Sequence, residues 1–144
     1  MAADDGQRGP RFPPRSLLSM YLLDTHALLW GISAPERLPA RVRKVLSAGQ
    51  ARASVVSYWE LVLKKGRKSA PVARPAELWD QYVTRTAVEV LPVRVIHVDR
   101  VNSLPELHHD PFDRMLVAQA LAEESILISR DGMLARYGAP VMWE

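Results

Sequence analysis

The chain has 144 residues, 48% of them hydrophobic and 24% charged, with a net charge of +3 at neutral pH. That length supports a single domain with a sizeable core. There is no cysteine, which excludes a disulfide scaffold and a thiolate metal site, and no apolar run near 18 residues, which excludes a membrane-spanning helix.

Residues 1–19 are rich in Pro, Gly and Arg, lack periodicity and read as a disordered leader, so the expected domain covers 20–144. "MYLLD" is a short apolar strand, and "THALLWGIS" a helix with Asp24 as its cap. "ARVRKVLSA" is a basic amphipathic helix, "ARASVVS" a second strand, and "YWELVLKKG" a helix ended by Gly66. "PAELWDQYVTRTA" is a helix, "VEVLPV" a strand, and "HVDRVNSLPEL" a short helix with a turn. "DPFDRMLVAQALAEES" is a helix with Asp110 as cap and Pro111 in the first position. "ILIS" is a strand, "RDGMLARYG" a short helix and "PVMW" the last strand. Short apolar strands between helices give an α/β fold with a mainly parallel sheet.

Charge is unevenly spread. Residues 36–68 carry nine bases against two acids, and residues 69–144 carry seven against eleven. Such a split suits a polyanion such as nucleic acid, and equally a solvated helical face. Lys64, Lys65, Arg67 and Lys68 are candidates for holding a nucleic-acid backbone, since phosphate contacts dominate affinity. Arg114 either reaches phosphate or pairs with an acid.

The apolar stretch "YLLDTHALLW" has one aspartate in its middle, and an isolated buried carboxylate costs several kcal/mol or more. Asp24, Glu60, Asp113 and Asp131 each fall at or just before the first turn of an expected helix. Each has a purely structural reading. Asp24 and Asp131 fit helix caps, Ser57 with Glu60 fits a capping box, Glu60 with Lys64 is an i,i+4 pair, and Asp113 favours the helix dipole. Taken together they allow more. In a parallel α/β sheet the strand carboxyl ends share one edge, where ligands bind at the reversal of strand order. If the first and "ILIS" strands are neighbours, the four acids converge and share a cation. Oxygen donors alone suit Mg²⁺ or Mn²⁺. Such a site attacks a phosphodiester with an activated water whose proton a carboxylate accepts. The hydroxyls of Thr25 and Ser129 stand beside these acids, either to orient them or as local turn bonds.

"YLLDTHALLW", "SVVSYWELVLKKG", "LPELHHDPFDRMLVAQA" and "ILISRD", in this order and spacing, resemble PIN-domain ribonucleases, and among them the VapC-type toxins of bacterial toxin–antitoxin pairs. The resemblance spans about residues 20 to 143. It implies a PIN-like fold with helices on both sides of the sheet. It also implies a metal-dependent cytoplasmic endoribonuclease that forms a homodimer and is inhibited by a cognate antitoxin. The family's metal-site acids map onto Asp24, Glu60 and Asp113, with Asp131 as the more variable fourth. Ser129 stands where the family usually has Thr, and it keeps the hydroxyl.

His26, His97, His108 and His109 lack the i,i+4 spacing of a zinc site and read as structural or substrate-orienting, with the 108–109 pair best placed. Trp30, Trp59, Trp79 and Trp143 read as core or dimer interface. Two other functions stay open at this level. One is a PIN-like module that binds RNA or protein without cutting. The other is a phosphatase-type enzyme using Asp24 as a covalent nucleophile.

Overall fold

The computed structural model describes residues 20–68, 72–107 and 110–144. The expected leader and the His108–His109 pair lie outside the described residues. Five short strands, β1 (Tyr21–Leu23), β2 (Ala51–Ser54), β3 (Glu89–Leu91), β4 (Ile126–Ile128) and β5 (Val141–Met142), form one sheet in the order β3-β2-β1-β4-β5. Every pairing is parallel. From β1 the chain moves outward through β2 to β3, then returns to the other side of β1 as β4. The strand order therefore reverses between β1 and β4, where Leu23 lies opposite Ile128.

Six α-helices are described: α1 (Thr25–Ser33), α2 (Ala40–Ser47), α3 (Val55–Lys64), α4 (Pro75–Arg85), α5 (Val95–Asn102) and α6 (Pro111–Ala122). The period-2 alternation of the strands divides the core into two layers. Leu23, Ala51, Ala53 and Ile128 face one layer, filled by α1, α2 and Tyr82 of α4. Leu22 and Leu127 face the other, against Val56 of α3, Leu116 and Val117 of α6, and Leu134. Both faces of the sheet are thus covered, as a short parallel sheet requires. Each fully buried Leu or Ile contributes about 1.5–3 kcal/mol.

The element order matches the expectation, but several boundaries move, and the one after β2 changes a cap. "ARASVVS" is strand only through Ser54, and α3 begins at Val55. Ser54 Oγ accepts the Val56 N–H as the helix cap. The expected Ser57–Glu60 capping box is therefore absent, because Ser57 already lies inside the first turn. The segment after Asp131 is a 3-10 helix, Gly132–Tyr137, with Asp131 accepting the Met133 N–H.

The second face of the sheet also holds charge. Arg52 and Ser54 point there from β2. Arg52 donates to Glu123 Oε1 at 2.9 Å, and its Nε lies 2.9 Å from Glu89 Oε1 on the neighbouring strand. Glu123 Oε2 takes Arg94 and His97 at 2.9 and 2.8 Å. The Arg94 main-chain N–H donates to His97 Nδ1, so the imidazole proton sits on Nε2 and goes to Glu123. Ser54 donates to Gln119 Oε1, and the Gln119 amide reaches the Pro92 carbonyl. His97 is fully buried and structural, which fits one of its two expected roles. Arg52, counted in the basic stretch, is not a surface charge.

Burial pushes the Glu123 carboxyl up, but the hydrogen bonds from His97 and Arg52 and the charges of Arg52 and Arg94 outweigh it and hold it at about 2, below the ordinary 4.5. A depressed carboxyl contributes stability that is complete above 4.5 and is lost as pH falls toward 2. Glu123→Gln leaves Arg52 without its buried charge partner. It is expected to lower unfolding free energy by about 3–5 kcal/mol at neutral pH, and to flatten the acid limb of stability between those two pH values. Urea unfolding as a function of pH checks both.

Candidate active site

Asp24 leaves β1 at the reversal point. Its N–H donates to the Ile128 carbonyl of β4 at 3.0 Å, and its Oδ1 accepts the Ala27 N–H at 2.8 Å as the cap of α1. The residue is 6% exposed. Burial pushes its carboxyl above the ordinary range. Hydrogen bonds from the Ser129 hydroxyl and the Ala27 N–H oppose the rise, as does the His26 charge, while the Glu60 charge adds to it. Ser129 also accepts the Asp131 N–H at 3.0 Å, so one hydroxyl ties Asp24 to the turn that carries Asp131.

Glu60 arrives from α3, on the β2 side, and is 5% exposed. Thr25 Oγ1 donates to Glu60 Oε1 at 2.6 Å and lies 3.1 Å from Ser57 Oγ. Glu60 Oε2 accepts from Lys64, one turn further along α3. The hydroxyls of Thr25 and Ser129 thus stand beside Glu60 and Asp24 respectively. Asp113 arrives from the first turn of α6, behind the cap Asp110, which accepts the Phe112 and Asp113 N–H groups.

All four expected acids line one cleft of about 420 Å³, together with Thr25, Ser129, Lys64 and Asp110. Trp30, His26 and Arg130 complete its wall. Among the described residues, no three His, Asp or Glu side chains come together as a self-sufficient metal cage. The acids form the walls of an open cleft instead. Open acidic clefts suit a cation that uses one or two carboxylates and keeps its water, as Mg²⁺ does. The donor set fits such an ion, being all oxygen with one desolvated carboxylate beside another.

Other expected residues stand elsewhere. Lys65, Arg67 and Lys68 are exposed beyond the end of α3, on either side of the left-handed Gly66 at φ +83°. Arg114 turns from the cleft: its guanidinium donates to the carbonyls of Pro105 and Val101 and clamps the approach to α6. The cleft residues that sequence reasoning passed over are Arg130, Trp30 and, as a wall rather than a cap, Asp110. Arg130 had one signal, its place between Ser129 and Asp131. Trp30 is core, as expected, while Trp59 on α3 is 55% exposed and meets Phe112 edge-on.

The PIN-domain family model matches residues 21–140. The chain belongs to the PIN-domain family. No curated protein matches it in sequence. Solved structures share its fold at low identity. VapBC2 from Rickettsia felis bound to a promoter DNA fragment has a TM-score of 0.64 at 17% identity, covering 86% of this chain and 98% of that one. DNA-bound VapBC from Salmonella typhimurium has 0.66 at 16%, covering 85% and 96%. FitAB bound to the IR36 DNA fragment has 0.61 at 19%, covering 85% and 94%. No described helix of this PIN domain is long and apolar enough to cross a membrane.

In the absence of a cation the buried Asp24 charge works against this PIN fold. Because its carboxyl is raised above 3.8, folding opposes its ionisation once pH exceeds that value. Asp24→Asn keeps a cap acceptor and removes the charge. In chelator at neutral pH it is expected to stabilise the protein by about 1 kcal/mol, with the gain vanishing in acid. Thermal unfolding of both proteins across pH is the check.

Proposed function

We propose that this PIN domain is a metal-dependent endoribonuclease, acting as the toxin of a toxin–antitoxin pair in the cytoplasm. One observation carries the reading. Acids from four separate elements line one cleft at the strand reversal, and one of the two buried ones, Asp24, is desolvated with no cationic side chain of the described residues in hydrogen-bond contact. A purely structural set of caps has no reason to share a cavity. The likeness in fold to VapBC and FitAB complexes supports the partner, an antitoxin protein, and the family resemblance supports a homodimer.

Asp24, Glu60, Asp113 and Asp131 would hold the Mg²⁺ or Mn²⁺. When bound, that ion supplies neutralisation of charge on the phosphoryl oxygens and a more acidic water. The chain's own residues do the rest. Ser129 and Thr25 fix the orientation of Asp24 and Glu60, so their oxygens need no reorganisation when substrate arrives. Lys64, on Glu60, offsets acidic charge at the bank where a polyanion enters. The pairing of Asp24 with the Ile128 carbonyl holds the cleft floor rigid against the sheet.

Purified protein free of antitoxin is expected to cut cellular RNA into discrete fragments with Mg²⁺ or Mn²⁺ and not with EDTA. Asp113→Asn is expected to lower the rate by at least about 100-fold with an unchanged circular-dichroism spectrum. Equal cleavage by that variant, or none with any divalent ion, would overturn the nuclease reading. Metal-independent RNA binding without cleavage would favour the non-catalytic module. A covalent phosphoryl adduct on Asp24 would favour the phosphatase reading.

A further inference from the structure

The edge of the cleft on the β4–β5 side carries a charge arrangement that the acids do not explain. Trp30 of α1 is 9% exposed and packs on Trp143, just after β5, with ring centroids 5.9 Å apart. Its indole is therefore fixed, and too buried to stack a base. Two guanidinium groups sit at this one ring. Arg37 is centred 4.0 Å from the ring centroid, and Arg130 lies 5.7 Å from it. They come from different parts of the chain, the turn after α1 and the loop after β4. Both residues are exposed. No acid of the described residues makes an ion pair with either.

Two like charges near one ring repel, and the cation–π attraction of each is only about 0.5–1 kcal/mol at an exposed site. An anion between or beside them removes the repulsion. Arg130 also lines the acidic cleft itself, whereas Lys64 lines it from the β2 side. Asp24 stands on β1, between β2 and β4. The sheet order therefore sets Lys64 and Arg130 on opposite banks of the acids, with Arg37 beside Arg130 at the ring of Trp30. A planar fork held on an aromatic face is suited to phosphate, because little rotamer freedom remains to be lost.

We propose that Arg37 and Arg130, held on the ring of Trp30, form a cationic bank that binds backbone phosphates of the RNA strand across the cleft from Lys64. The proposal rests on the nuclease reading for the identity of the polyanion. It makes both arginines positioning residues, acting on where the strand lies and not on bond breaking. It also gives Trp30 a role besides core packing, as the support that keeps the two forks aligned.

The test measures binding of a short, fluorescently labelled single-stranded oligoribonucleotide to the full chain in chelator, as anisotropy over a range of salt. Each lost phosphate contact lowers the slope of log K against log salt by about 0.7. Arg37→Gln with Arg130→Gln is expected to lower the slope by about 1.4 and to weaken binding roughly 10- to 100-fold. Arg37→Lys with Arg130→Lys restores most of the slope and less of the affinity, since lysine keeps the charge and loses the fork. With metal present, the glutamine pair raises KM more than it lowers kcat. Wild-type RNA binding with an unchanged slope and affinity in the glutamine pair overturns the cationic bank, while the Asp113→Asn result leaves the nuclease reading standing. Absence of any RNA binding or cleavage by the wild type overturns both together.

Discussion

The Asp24 N–H donates to the Ile128 carbonyl at the end of the parallel β1–β4 pairing, and the cleft is built on that pairing. It locks the end of β1 to the end of β4, where strand order reverses. The bond completes the parallel pairing from Tyr21–Ile126 to Leu23–Ile128, which sets the loops after β1 and β4 on one edge. With it, Ser129 comes within reach of the Asp24 carboxylate, and the turn carrying Asp131 is tied to the same hydroxyl. Glu60 is then brought in from the other side by Thr25, the residue next to Asp24. One strand end thus anchors both acidic walls.

The two faces of the sheet handle charge in opposite ways. Behind the sheet, Glu123 is surrounded by Arg52, Arg94 and His97, and every charge there has an answering one. That network pulls the carboxyl down and stabilises the fold above its titration range. At the strand carboxyl edge, Asp24 is buried against another acid and its carboxyl is pushed up. A fold that satisfies charge so fully in one place and leaves it unsatisfied in another marks the second place as a site for something from outside. The arginines on Trp30, with no ion pair among the described residues, have the same character with the opposite sign.

Much of this was legible beforehand. The helix starts at Asp24, Asp110 and Asp131 are set by local chemistry, a side-chain oxygen accepting a free N–H two or three residues on. Such caps act within one turn, so the sequence displays them. The boundary between β2 and α3 was less visible. Val55 and Val56 favour a strand locally, yet Ser54 caps a helix there. Val56 is buried there in the cluster that holds Leu116 and Val117 of α6. The network around Glu123 was hidden for another reason: Arg52 comes from β2, Arg94 and His97 from the start of α5, and only the register of β2 against β3 brings Arg52 to Glu89.

By itself the sequence determined the alternation of strand and helix, the residue types able to hold a hard cation, and the hydroxyls placed beside them. Those follow from periodicity and from side-chain chemistry, which need no neighbours distant in the chain. Only the tertiary structure decided which acids share a cavity, that Arg114 clamps a loop, that Arg52 is buried, and that Arg37 meets Arg130 on one indole. These are outcomes of strand order. No local pattern states which strand lies beside β1, and every long-range meeting at the cleft follows from that choice.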